Sequence, residues 1–157
     1  MLLGNTSATP TPLGAIRRDV VWYVRQLEEA MIRATREFGI VAEREKGKTG
    51  IWVSGGKLGE KLGAIGVHIS RWVTSHGLAY NVSTDLRNFE LIVPCGIADR
   101  KATSLEKLLG RQIDLKEVKP KLGKYLGEVF GLELRETSHP ELVARLEAVE
   151  QPVVATA

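Results

Sequence analysis

Between residues 64 and 82 apolar side chains alternate with small or polar ones at a period of two, which commits this stretch to a β-sheet. Ile65, Val67 and Ile69 alternate with Gly66 and His68. Further on, Thr74, His76, Leu78, Tyr80 and Val82 share one face, and Ser75, Gly77, Ala79 and Asn81 share the other. Small residues on that second face let a backbone or a ligand approach closely.

The flanking segments read differently. Val20, Val24, Leu27, Met31, Ala34 and Phe38 recur at helical spacing from Asp19 onward, with Arg25, Glu29, Arg33 and Arg36 opposite and Gly39 as the stop. Residues 41–48 form a charged connection, residues 50–53 a short apolar run, and Gly55-Gly56 a turn. A further apolar run at 91–93 halts at Pro94, which puts Cys95 on a constrained loop just beyond a strand. Thr103 to Glu106 has capping-box spacing and opens a short helix ending near Gly110. Asp114 caps another helix, with Leu115, Val118, Leu122, Leu126 and Val129 inward and Pro120 near its first turns. Residues 132–135 suit an edge strand, and residues 140–149 suit a terminal helix. The order predicts an α+β layer with a largely antiparallel or mixed sheet and packed helices.

Bulk properties exclude more than they select. A chain of 157 residues with 43% hydrophobic and 26% charged residues can bury a core. Its net charge of +3 is spread through segments where acids and bases alternate, so no nucleic-acid stripe emerges. No apolar run reaches membrane-spanning length, and the first 14 residues lack signal-peptide character. A single cysteine rules out an intramolecular disulfide and favours a reducing, cytoplasmic setting.

Cys95 is the first candidate for chemistry. A lone cysteine is ordinarily a small buried hydrophobe, but a cysteine between proline and glycine on a loop is placed for access. At an ordinary pKa of about 8.5 a thiol is mostly protonated at neutral pH, so a nucleophile needs a nearby cation. Lys61, leading into a Gly-rich strand, and Lys57 both qualify, and spacing does not choose between them. His76 suits a general base or a packed core residue; His68 and His139 lie apart. Neither a metal-ligand pattern nor a phosphate-binding glycine loop is present, so no metal or nucleotide cofactor is expected.

Four segments carry a resemblance: KLGAIGV from Lys61, SHGLAYNV from Ser75, IVPCGI from Ile92 and TSL from Thr103. Their order and spacing resemble the octanoyl transferases of lipoate biosynthesis over residues 16–136, with residues 1–15 an irregular lead-in and 137–157 a terminal helix and tail. The resemblance implies the fold shared with lipoate and biotin protein ligases. It implies transfer of octanoyl groups from octanoyl-acyl carrier protein to a lysine of apo lipoyl domains, in 2-oxoacid dehydrogenase complexes and the glycine cleavage H protein. On this resemblance Cys95 becomes acylated, Lys61 lowers its thiol pKa, and the backbone at Ala64, Ile65, Gly66, Gly77, Leu78 and Ala79 lines the acyl and thioester site; His76, inside the SHGLAYNV segment, is expected to bind substrate. No cofactor, nucleic acid or membrane is implied. The family also carries an upstream Arg-Gly-Gly run and a His-Gly-Pro-Gly segment that this chain lacks. The sequence therefore reads as the C-terminal part of such an enzyme, or as a catalytically incompetent fragment or subunit of one.

Overall fold

The computed structural model describes residues 18–54, 59–91 and 101–150. The lead-in, the Gly55-Gly56 turn, Lys57, the run at 92–93 with Pro94 and Cys95, and the tail after 150 lie outside them.

Helix α1 (Val20–Arg36) opens where Asp19 accepts a hydrogen bond from the Trp22 backbone N–H at 2.9 Å, and its last turn carries Arg33 and Arg36, which suit the negative end of the helix dipole. Four strands follow: β1 (Ala42–Glu43), β2 (Ile51–Val53), β3 (Glu60–Ser70) and β4 (Val73–Tyr80). They form an antiparallel sheet in simple meander order, β1-β2-β3-β4. A 3₁₀ turn (Leu86–Leu91) and helices α2 (Leu105–Leu109), α3 (Leu115–Phe130) and α4 (His139–Glu150) complete the chain. This is the α+β architecture that the pattern of elements predicts.

Helix α1 is the centre of the packing. Met31 presses on Gly63 of β3, where an added Cβ would stand 2.8 Å from the methionine sulfur and 2.9 Å from Ile51 Cγ1. Thr35 Oγ1 and the Tyr80 hydroxyl meet at 2.6 Å, tying α1 to β4. On its other side Trp22 meets Phe130 of α3 edge to face and Tyr23 meets it at a tilt, with ring centroids 5.8 and 5.5 Å apart. A helix covered on two sides buries more than one stripe, which is why Glu28, Ala30, Ile32 and Thr35 join Leu27, Met31 and Ala34 inside while Val20 stays exposed.

Burial in a low-dielectric contact pushes the Tyr80 phenol up to about 12, opposed by its Thr35 hydrogen bond. A phenol raised in the folded state keeps its proton there after the unfolded chain has lost its own. Stability is therefore complete below about pH 10 and should fall by roughly 1.4 kcal/mol per unit from about pH 10 to about pH 12. Urea denaturation across that range should show the decline in the native protein and a flatter profile in Tyr80→Phe.

Several sequence expectations are corrected. Leu91 closes the 3₁₀ turn and does not open a strand. Ser104, not Thr103, caps α2, accepting from the Lys107 backbone N–H at 3.2 Å, while Thr103 remains in the extended segment that bonds to β3, its N–H donating to the Lys61 carbonyl at 2.9 Å. Leu115 is exposed at the start of α3, although Asp114 and Glu117 do form a capping box. Residues 132–135 are not a strand. Gly131 in the left-handed conformation turns the chain back across α3, and Leu134 packs over Gly123 and Gly127. The charged connection contains β1, paired with β2.

The β3–β4 turn is costly as built. Arg71 (φ 48°) and Trp72 (φ 64°) are both left-handed, as a two-residue type I′ turn demands, yet neither is glycine or asparagine. The double change Arg71→Asn with Trp72→Gly is expected to raise unfolding stability by about 1 kcal/mol, read as a higher urea midpoint.

Candidate functional site

Pairing assigns side chains to faces. On one side of β3–β4, Gly63, Ile65, Val67 and Ile69 stand opposite Tyr80, Leu78, His76 and Thr74. This is the α1 side: Gly63 meets Met31, and Ile65, Leu78 and Tyr80 pack on the core. On the other side Ala64 pairs with Ala79, Gly66 with Gly77, His68 with Ser75 and Ser70 with Val73. Gly66, His68, Ser70, Val73, Ser75 and Ala79 are exposed there. The result is a strip of backbone almost bare of side chains, with Ala64, Gly66, Gly77 and Ala79 adjacent at its centre.

Lys61 reaches this strip through a defect in the sheet. Ile51 pairs with Gly63 but Trp52 pairs with Lys61, so Leu62 is an extra residue in β3, a β-bulge. Without it, Lys61 would share the α1 side with Gly63 and Ile65. The bulge turns Lys61 to the side of Trp52, which is opposite Ile51 and so on the same side as Ala64 and Gly66. The Lys61 ammonium lies 5.1 Å from the centre of the Trp52 ring.

Lys61 is also the junction with the segment that follows Cys95. Its backbone N–H donates to the Lys101 carbonyl at 2.9 Å, its carbonyl accepts from Thr103, and Lys61 and Ala102 form a parallel bridge. The start of α2 is fastened to the end of β4, with Leu105 and Glu106 N–H groups donating to Asn81 and Val82 carbonyls at 3.0 Å. The Asn81 side chain donates to the Thr103 carbonyl at 3.0 Å, and Lys107 pairs with Glu60 at 3.1 Å.

The expected site residues therefore divide. Lys61, Ala64, Gly66, Gly77 and Ala79 fall on one face, whereas Ile65 and Leu78 send their side chains to the α1 side and have only backbone to offer the open one. His76 is a correction: it is exposed with φ 66°, followed by Gly77 at φ 156°, and is not packed beside Leu78 and Val82. Left-handed backbone there interrupts the regular pleat. Cys95 and Lys57 lie outside the described residues. Among the described residues no group of three metal-ligating side chains occurs, and no helix is long and apolar enough to cross a membrane.

Reading from sequence missed the support beneath Lys61. Glu28 is buried, and its carboxylate accepts from Arg25 at 2.6 Å, Arg44 at 3.1 Å and the Gly50 backbone N–H at 3.0 Å. Glu28 sits on the helical arc of Val24, Met31 and Ile32, and a carboxylate inside an apolar arc was the available signal.

The profile of the lipoyl protein ligase A/B catalytic domain matches residues 3–127. The chain belongs to that family. An octanoyltransferase of Caldicellulosiruptor saccharolyticus is 46% identical over 132 residues, covering 83% of this chain and 54% of that protein. One from Chloroflexus aurantiacus is 52% identical over 118 residues, covering 74% of this chain and 52% of that protein. This family member thus spans about half the length of the curated relatives it matches. Its fold is that of the ligases: a bi-partite lipoate protein ligase from Thermoplasma acidophilum superposes with a TM-score of 0.61 at 18% identity, over 87% of this chain and 57% of that one. Biotin protein ligase from Aquifex aeolicus gives 0.56 at 22% identity, over 73% and 45%.

Proposed function

We propose that this lipoyl protein ligase A/B family chain carries the reactive half of an octanoyltransferase, with Cys95 as the acyl carrier and Lys61 as its cation. The observation that carries this reading is the bulge at Leu62, which brings Lys61 onto the bare face beside Ala64, Gly66, Gly77 and Ala79. Cys95 lies six residues before Lys101, the residue whose carbonyl the Lys61 N–H holds, so the covalent chain limits their Cα separation to about 20 Å.

In the proposed reaction the Cys95 thiolate attacks the carbonyl carbon of octanoyl-acyl carrier protein. The carrier's thiolate leaves and takes a proton from Lys61. One thioester replaces another, so no nucleotide is needed. The amine of a lipoyl-domain lysine then attacks acyl-Cys95, the cysteine thiolate departs, and Lys61 takes the proton that the new amide nitrogen sheds. A strip of glycine and alanine lets the reacting thioester lie close against the sheet.

Incubation with octanoyl-acyl carrier protein followed by intact-mass measurement tests this. One octanoyl group should add to the protein, and none to Cys95→Ser. An unmodified, folded native protein would sink the reading of the chain as self-sufficient. One observation favours a second reading, a subunit or fragment that acts only when complemented: the relatives are about twice as long. Acylation that appears only after adding the N-terminal half of a full-length octanoyltransferase would support it.

A further inference from the structure

Lys61 is the chemical centre of the function proposed above, yet a lysine is a flexible four-carbon stem with a strongly hydrated end. Its aim has to come from its neighbours, and three features supply it. The first is the ring of Trp52, paired with Lys61 across β2–β3, whose centre lies 5.1 Å from the ammonium. The second is Gly50, at φ 109°, so close that a Cβ there would overlap the Gly63 carbonyl oxygen and come within 3.0 Å of Lys61 Cε. The third is the buried Glu28, which holds the Gly50 N–H and, through Arg25 and Arg44, anchors the connection leading into β2.

We propose that Trp52 is a positioning residue for Lys61, its indole fixing the ammonium at the edge of the bare strip while Gly50, held by Glu28, lies close to the stem at Cε. The geometry fits that task better than core filling alone. Ile51 and Val53 already supply apolar cover on the α1 side of β2, and Trp52 stands on the opposite side, where among the described residues Lys48 also places its ammonium over the ring, at 5.3 Å. Lys48 is paired with Glu45 at 2.8 Å, whereas among the described residues no carboxylate pairs with Lys61 and its ammonium rests against the indole.

The inference rests on the role given to Lys61, and its test separates the two. Cys95 is the only thiol, so its alkylation by iodoacetamide reports its thiolate alone. In the folded protein at pH 7, Lys61→Met should slow alkylation about tenfold, the effect of one unit in thiol pKa. Trp52→Leu should come within about threefold of that loss, and Trp52→Phe, which keeps an aromatic face, should retain most of the native rate. Leucine is a large change in a buried residue, so a second measurement uses the native protein. The Lys61 ε-methylene protons, assigned by difference from Lys61→Met, should resonate upfield under the indole ring current.

A slow Lys61→Met with a folded Trp52→Leu at native rate would overturn the positioning role and leave the Lys61 role standing. Unshifted ε-methylene signals would do the same. A Lys61→Met protein alkylated at the native rate would overturn the Lys61 role and the inference together.

Discussion

Lys61→Met should lower octanoyl transfer by about a hundredfold while leaving the fold intact, the usual scale for a positioned proton-transfer group. The proposed chemistry asks two things of this lysine: a positive charge when the thiolate forms, and a free pair when the acceptor amine loses its proton. Methionine keeps the stem and supplies neither. Lys61→Arg should restore the first and not the second, so acylation of Cys95 should recover more than release to the acceptor. Pre-steady-state measurement of the two half-reactions separates them. A transfer rate within twofold of native in Lys61→Met would remove the lysine from the reaction. The fold should tolerate the change, because the Lys61 backbone, not its side chain, makes the bonds to residues 101–103.

Glu28→Ala has the largest expected effect on stability. Its buried carboxylate collects three donors from three separate pieces of chain: α1, the connection after β1, and Gly50 at the entry to β2. Alanine would leave the buried Gly50 N–H unpaired and release Arg44 from one of its two carboxylates, Glu29 being the other at 2.6 Å. Arg25 and Arg44 are partly exposed and regain water, which limits the penalty. A loss of about 3 kcal/mol is expected, seen as a lower urea midpoint at unchanged slope. Glu28→Gln keeps an acceptor for Gly50 and should lose less. A cost below about 1 kcal/mol for alanine would mean that the cluster is ornamental to the fold.

Much of this was legible in residues that answer to local rules. Asp19 and Asp114 mark helix starts by their side-chain acceptors, Gly110 marks a stop, and strict alternation at 64–69 marks a strand. The bare strip was legible for the same reason, since Gly66, Gly77, Ala64 and Ala79 must share a face once the two strands pair in register. What escaped depends on partners distant in sequence. The bulge at Leu62 exists only relative to β2, where one residue more or fewer decides which side Lys61 occupies. Residues 132–135 have strand composition, but Leu134 packs over the glycines of α3 and the segment pairs with none of the strands among the described residues. His76 resembles a core residue by parity, yet its left-handed backbone takes it out of the pattern.

The strip formed by Ala64, Gly66, Gly77 and Ala79 has little relief. If the proposed acyl transfer takes place over it, a floor this smooth offers a hydrocarbon tail no side-chain walls of its own. On that proposal, discrimination among six, eight and ten carbons falls to whatever surface roofs these two strands, and exchanging that roof between homologues should carry the length preference with it while leaving the proposed cysteine–lysine step unchanged.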